Sequence, residues 1–192
     1  MKNLAIFASG NGSNAQNIIE HFNKSNTARV SLIICNKPNA YVLERGKAKG
    51  VSSVVMTKEE LTSDSPDALI SLLQENEINY IILAGYLLKI PEALVAAYPG
   101  SIINIHPALL PKFGGKGMYG HHVHEAVIAA GEKETGITIH LVDSNYDSGK
   151  ILFQAKCDVL GSDTTESIEK KIHTLEQRHF PTEIERYIKA NK

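Results

Sequence analysis

The stretch Leu4-Ala5-Ile6-Phe7-Ala8-Ser9-Gly10-Asn11-Gly12-Ser13-Asn14-Ala15 decides the architecture. The apolar run Leu4–Ala8 is too short for a signal-peptide core and reads as a buried strand. A turn holding Gly10 and Gly12 follows, and from Ala15 to Phe22 the apolar residues take helical spacing. Strand, tight turn and helix in that order open a βα unit. Its helix start aims unpaired N–H groups and a positive dipole end at whatever lies before it, which suits an anion. Ser13 and Asn14 add side-chain donors. The glycine spacing also fits the dinucleotide pattern Gly-x-Gly-x-x-Ala, which expects an acidic residue closing the second strand. Here that strand ends Cys35-Asn36-Lys37-Pro38. The phosphate of a mononucleotide is the preferred reading, with a dinucleotide and a purely structural turn as alternatives.

Outward from this unit the alternation continues. Val30–Cys35, Ser53–Met56, Tyr80–Ala84 and Ser101–Ile105 read as strands. Between them, helices are predicted over Val42–Lys49, over Pro66–Asn76 with Ser65 as N-cap, and over Pro91–Tyr98 with proline in the first turn. Such βαβ repetition predicts an α/β, Rossmann-like open sheet, mostly parallel, with helices on both faces. The rhythm then changes. Gly136–Val142 and Ile151–Val159 are two strands with only Asp143–Lys150 between them, which predicts an antiparallel addition near the C-terminus. A closing helix is predicted over Thr164–Lys192, kinked or broken at Pro181. With no repeat, low-complexity tract or linker, residues 1–192 read as one domain.

Composition narrows the partners. The 192 residues carry 20 Lys and Arg against 21 Asp and Glu, so no basic block argues for nucleic acid or a membrane surface. No segment reaches membrane-spanning length. Cys35 and Cys157 form no Cys-x-x-Cys pattern, which fits a reducing cytoplasm.

The chemistry is concentrated in Ser101-Ile-Ile-Asn104-Ile-His106-Pro107-Ala-Leu-Leu-Pro111. Residues two apart on a strand share a side, roughly 6.5 Å from one another, so Asn104 and His106 address one substrate group. Pro107 keeps the chain extended as it leaves the strand. An amide donor beside an imidazole suits a developing oxyanion and an adjacent proton transfer. In Gly136-Ile-Thr-Ile-His140-Leu-Val142, alternation puts Ile137, Ile139 and Leu141 on one face, and Thr138, His140 and Val142 on the other. Asp147 then falls in a turn closed by Gly149. A carboxylate beside His106 would raise its pKa and keep it protonated. Taken alone, each feature is also compatible with an ordinary strand end or turn.

Together, Gly10–Asn14, Ala84-Gly85-Tyr86, Asn104–Pro111, and Gly136-x-Thr-x-His140 with Asp147-x-Gly149 resemble the folate-dependent formyltransferases. The resemblance runs nearly end to end and is nearest to the branch serving purine biosynthesis. It implies 10-formyltetrahydrofolate as cosubstrate, the amine of glycinamide ribonucleotide as acceptor, and no tightly bound cofactor. It also implies a cytoplasmic monomer or homodimer that binds small molecules, not nucleic acid or membrane. By the same resemblance Asn104, His106 and Asp147 are catalytic, and Gly12, Ser13 and Asn14 hold the acceptor's phosphate. Glu176 meets the acceptor's glycinamide end. Leu87, Leu88, Lys89 and Ile90, with Asn104 and the Asp143–Asp147 turn, face the folate.

The chain departs from the family where Leu87-Leu88 precede Lys89, and where no basic residue appears in Thr62-Ser63-Asp64. The long loop from Phe113 ends in His121, His122 and His124 beside Glu125. Lacking paired cysteines or His-Glu-x-x-His, it reads as a solvated helix start or loop contact, with a metal site the lesser alternative and no metal expected. Rivals are a formyltetrahydrofolate hydrolase, which would usually carry a domain before the first strand, and a methionyl-tRNA formyltransferase, for whose extra domain Val159–Lys192 leaves no room. A non-catalytic nucleotide-sensing module would lack Asn104, His106 or Asp147.

Overall fold

A computed structural model describes residues 1–145 and 147–191, so Tyr146 and Lys192 lie outside the described residues. The elements are β1 (Lys2–Ala8), α1 (Ser13–Phe22), β2 (Ala28–Cys35), α2 (Tyr41–Ala48), β3 (Ser52–Val55), α3 (Lys58–Thr62) and α4 (Asp67–Glu75). They continue as β4 (Ile78–Leu83), α5 (Glu92–Ala97), β5 (Ile102–His106), α6 (His121–Ala129), β6 (Glu134–Leu141), β7 (Ile151–Asp158) and α7 (Thr165–Ala190). The strands form one sheet in the order β3-β2-β1-β4-β5-β6-β7. Pairing is parallel from β3 through β5 and antiparallel at β5–β6 and β6–β7.

β1 is apolar at every residue from Leu4 to Ala8 because both its faces are covered, as parallel sheets require. Leu4, Ile6 and Ala8 pack under Ala15, Ile18 and Ile19 of α1 and against Ile172, Phe180 and Ile184 of α7. Ala5 and Phe7 point the other way, into Leu69 and Leu73 of α4 and Leu94 of α5. Since β2 lies on one side of β1 and β4 on the other, their connections leave in opposite directions. A crevice opens at the carboxyl end of the strands, where ligands of such sheets bind.

Three sequence expectations change. Ser65 is not the N-cap of α4: Pro66 takes that position, and the Ser65 N–H binds the Ser63 hydroxyl instead. The short α3 was not expected, although Thr57 and Glu60 form a capping box at its start. α7 runs through Pro181 without a break. Proline removes the N–H that would serve the carbonyl four residues back, and that carbonyl, on Gln177, accepts from Asn17 Nδ2 of α1 at 2.7 Å. The orphaned acceptor is satisfied by a neighbouring helix, so the helix continues.

A second brace fixes α7 on α1. Glu185 accepts from Ser25 and Thr27 hydroxyls, at 2.7 and 2.8 Å, and pairs with His21 and Lys189. Lys189, followed by Ser25, holds its carboxyl well below the ordinary glutamate range. No helix among the described residues is long and apolar enough to cross a membrane.

Candidate active site

Antiparallel pairing of β5 with β6 sets Asn104 opposite His140 and His106 opposite Thr138. All four side chains rise from one face, as their period-2 spacing dictates. The Asn104 Nδ2 amide donates to His140 Nε2 at 3.1 Å, and His140 Nδ1 donates to the Leu141 carbonyl at 2.8 Å. These partners place a proton on Nδ1 and make Nε2 the acceptor. The second hydrogen of the Asn104 amide stays available to the cleft. Thr138 anchors the run beyond β5: its hydroxyl donates to the Ala108 carbonyl at 2.7 Å and accepts from the Leu110 N–H at 3.0 Å.

Asp147 closes the group. Its Oδ2 lies 3.7 Å from His106 Nδ1 and its Oδ1 lies 3.6 Å from His140 Nε2. Both separations are beyond hydrogen-bond length, so the carboxylate acts on the rings through charge. It accepts the Gly115 N–H at 2.9 Å, which ties the 113–120 loop to the turn after β6. Asp147 has φ 52°, a left-handed conformation that aspartate tolerates better than most residues. Burial pushes its carboxyl up, yet the contacts with His140, His106 and Gly115 outweigh this and hold it below the usual aspartate range.

His106 departs from expectation. Its Nε2 donates to the Phe113 carbonyl at 2.7 Å, and the ring is 4% exposed. Burial is the largest influence and lowers its pKa, while Asp147 and the Phe113 carbonyl raise it less than burial lowers it. Against the expectation that Asp147 keeps the ring charged, burial favours its neutral form. Desolvation penalises a charge that no direct hydrogen bond to a carboxylate compensates.

At the other end, Gly12 occupies the N-cap of α1 with φ 78°. A Cβ there would meet the Val42 Cβ at 2.6 Å, so both conformation and the packing of α2 demand glycine. Asn14 Nδ2 donates to Glu176 Oε2 at 2.9 Å, and Gln177 Nε2 donates to Asn14 Oδ1 at 2.7 Å. Burial, with Glu169 nearby, raises the Glu176 carboxyl despite the opposing Asn14 hydrogen bond. The Ser13 hydroxyl lies 3.0 Å from His173 Nε2. Arg45 from α2 donates to the Asn11 carbonyl at 2.9 Å and its Nη1 meets Gln16, so a cation braces the turn from outside.

A cleft of about 1160 Å³ joins the two ends. Asn104, His106, His140, Asp147, Asn14 and Glu176 line it, as do Leu87–Ile90 and Asp143 on its other wall. Of the three phosphate-turn residues, Asn14 lines the cleft directly, next to Gly12 and Ser13 in the chain. Asp143 accepts from the Asn145 N–H and the Ser148 hydroxyl, which shapes its turn. The sequence reading named no role for His140, His173, Arg45 or the Phe113 carbonyl. The first two are visible only once β6 is registered on β5 and α7 is laid on α1. His124 turns inward, 3% exposed, and leaves His121, His122 and Glu125 on the surface.

Residues 2–184 match the family model described as formyl transferase. The chain is 41% identical over 182 residues to the chloroplastic phosphoribosylglycinamide formyltransferase of Arabidopsis thaliana, covering 93% of this chain and 62% of that protein. It thus spans about three fifths of that plant relative's length. It is 39% identical over 194 residues to the Bacillus subtilis phosphoribosylglycinamide formyltransferase, covering 100% of this chain and 97% of the other. The crystal structure of the Bacillus halodurans enzyme of that name superposes with a TM-score of 0.90 at 35% identity, over 100% of this chain and 97% of the other.

Proposed function

The chain belongs to the formyl transferase family, and from that premise we propose that it carries the formyl group of 10-formyltetrahydrofolate to the amine of glycinamide ribonucleotide. The products are formylglycinamide ribonucleotide and tetrahydrofolate, a step of purine biosynthesis. The observation carrying this reading is the single cleft that joins Asn104, His106 and Asp147 to the Asn14–Glu176 pair, one end fit for formyl chemistry and the other for a phosphorylated acceptor.

The acceptor's phosphate sits at the α1 start, where N–H groups and the helix dipole favour an anion. Glu176 receives hydrogen-bond donors of the acceptor, and Leu87–Ile90 with the Asp143–Asp147 turn receive the folate. The neutral amine attacks the formyl carbon, and charge gathers on the formyl oxygen. The free amide hydrogen of Asn104 stabilises that oxygen, a donor of the kind worth about 3 kcal/mol in a transition state. His106, neutral at rest, takes the proton that the attacking nitrogen sheds. The imidazolium so formed faces Asp147 3.7 Å away. As the carbon–nitrogen bond to folate breaks, the proton passes to the folate nitrogen. One formyl group and one proton change places, and folate leaves as a product. We place the protein in the cytoplasm, as a single formyltransferase domain.

The test is tetrahydrofolate release by purified protein, with glycinamide ribonucleotide present or omitted. Release that requires the acceptor, with formylated product formed, supports the reading. Release without acceptor points to a hydrolase and overturns it.

A further inference from the structure

We infer that His121, His122 and Glu125, at the first turn of α6, form a surface site for a divalent transition-metal ion such as Zn²⁺. The sequence shows four potential donors in His121-His-Val-His-Glu125, without a familiar zinc spacing. The helix sorts them. His124 rotates into the protein and is buried, while its neighbours stay outside. Residues three and four apart on a helix share a face, so Glu125 comes under both remaining imidazoles.

The distances fit one small ion. His122 Nδ1 and Glu125 Oε2 are 3.5 Å apart, and one donor atom from each of the three residues lies within 4.8 Å of the others. Ligands bonded at about 2.0–2.1 Å in a tetrahedron stand roughly 3.4 Å from one another. The His122–Glu125 pair is already at that spacing, and His121 offers a ligand atom within 4.8 Å of both. The rings of His121 and His122 are 4.0 Å apart, and Tyr119 packs edge-on against His122 at 5.4 Å. That contact restrains the His122 ring before any ion arrives. Two imidazoles and a carboxylate suit Zn²⁺, Ni²⁺ or Cu²⁺ rather than Mg²⁺ or Ca²⁺. Water fills the fourth position.

Opposing this, the positive end of the α6 dipole disfavours a cation, and all three side chains are well hydrated. The affinity expected is therefore micromolar, short of that of a buried four-ligand site. The ion would fasten the first turn of α6, which directly follows the 115–120 rim of the cleft. It stands outside the transfer chemistry.

The test is calorimetric titration of the whole, chelator-stripped protein with Zn²⁺ alone, beside His122→Ala and Glu125→Gln. One equivalent is expected to bind, weakened at least tenfold in each variant, with formyl transfer in the absence of metal unchanged. Co²⁺ in place of Zn²⁺ should give the intense visible bands of four-coordinate geometry, lost in both variants. The side chains are exposed, so far-UV circular dichroism should show both variants folded. No binding, or binding that survives both substitutions and so belongs to the cleft histidines, overturns the site.

Discussion

At one end of the cleft the start of α1 offers consecutive residues, Gly12 to Asn14, whose use depends on backbone shape. At the other, the Asn104 amide meets an imidazole 36 residues further along the chain, and a turn beyond β6 brings a carboxylate between two rings. Under the proposed function the first end recognises with main-chain N–H groups and fixed dipoles, which need only a glycine in the right place. The second depends on the register of an antiparallel strand pair, and a one-residue slip would turn every one of its side chains to the opposite face. One end is local and tolerant, the other assembled and exacting.

The sharpest way to break that comparison is to truncate the assembled end. Asn104→Ala and His106→Ala should each lower turnover by about two orders of magnitude or more while the thermal midpoint moves little, because both act on charge that exists only in the transition state. Near-normal turnover in either variant would remove that residue from the reaction.

Asp147→Asn is expected to do less to the rate, by about tenfold to a hundredfold, since it removes a charge and leaves both rings in place. Its signature is in pH. Asp147 is what raises the His106 pKa against burial, so its loss should move the ring lower still. The limb of the pH–rate profile belonging to His106 should move to lower pH, and NMR titration of the ring should move with it. A ring that titrates unchanged would make Asp147 a turn residue holding the Gly115 N–H.

The same contrast explains what could be read beforehand. The α1 turn was legible because Gly10 and Gly12 fall within one short turn, and Asn104 with His106 because period 2 is a local rule. His140 was passed over as a site residue because nothing within β6 says which residue of β5 it faces. The lowering of the His106 pKa was not legible because a motif carries the partner, Asp147, but not the burial that outweighs it. Proline 181 gave a correct local warning, yet Asn17 on another helix answers it. For His140 and Pro181 a long-range contact overrides a local rule, whereas the missed α3 and the shifted α4 cap are local.

The smallest expected effect tests whether the recognition end is a site or a brace. Glu176 could serve simply to pin Asn14 between α1 and α7. In that case Glu176→Gln should be nearly silent or slightly harmful, since its amide oxygen still accepts from Asn14. The raised carboxyl pKa argues otherwise. A glutamate whose folded pKa lies above its unfolded value favours folding while it is protonated, and that benefit is lost as pH rises through the folded pKa. Once ionised, Glu176, with Glu169 nearby, therefore costs stability. Glu176→Gln should melt slightly higher than the parent at pH values where the carboxyl is ionised, and the gap should close as pH falls into the ordinary glutamate range. The same variant should raise the KM for glycinamide ribonucleotide with a much smaller change in KM for the folate. Higher stability with weaker acceptor binding is the mark of a group strained for recognition. A lower melting temperature with both KM values unchanged would make the pair structural, and only the transfer end would remain as a site built from side chains.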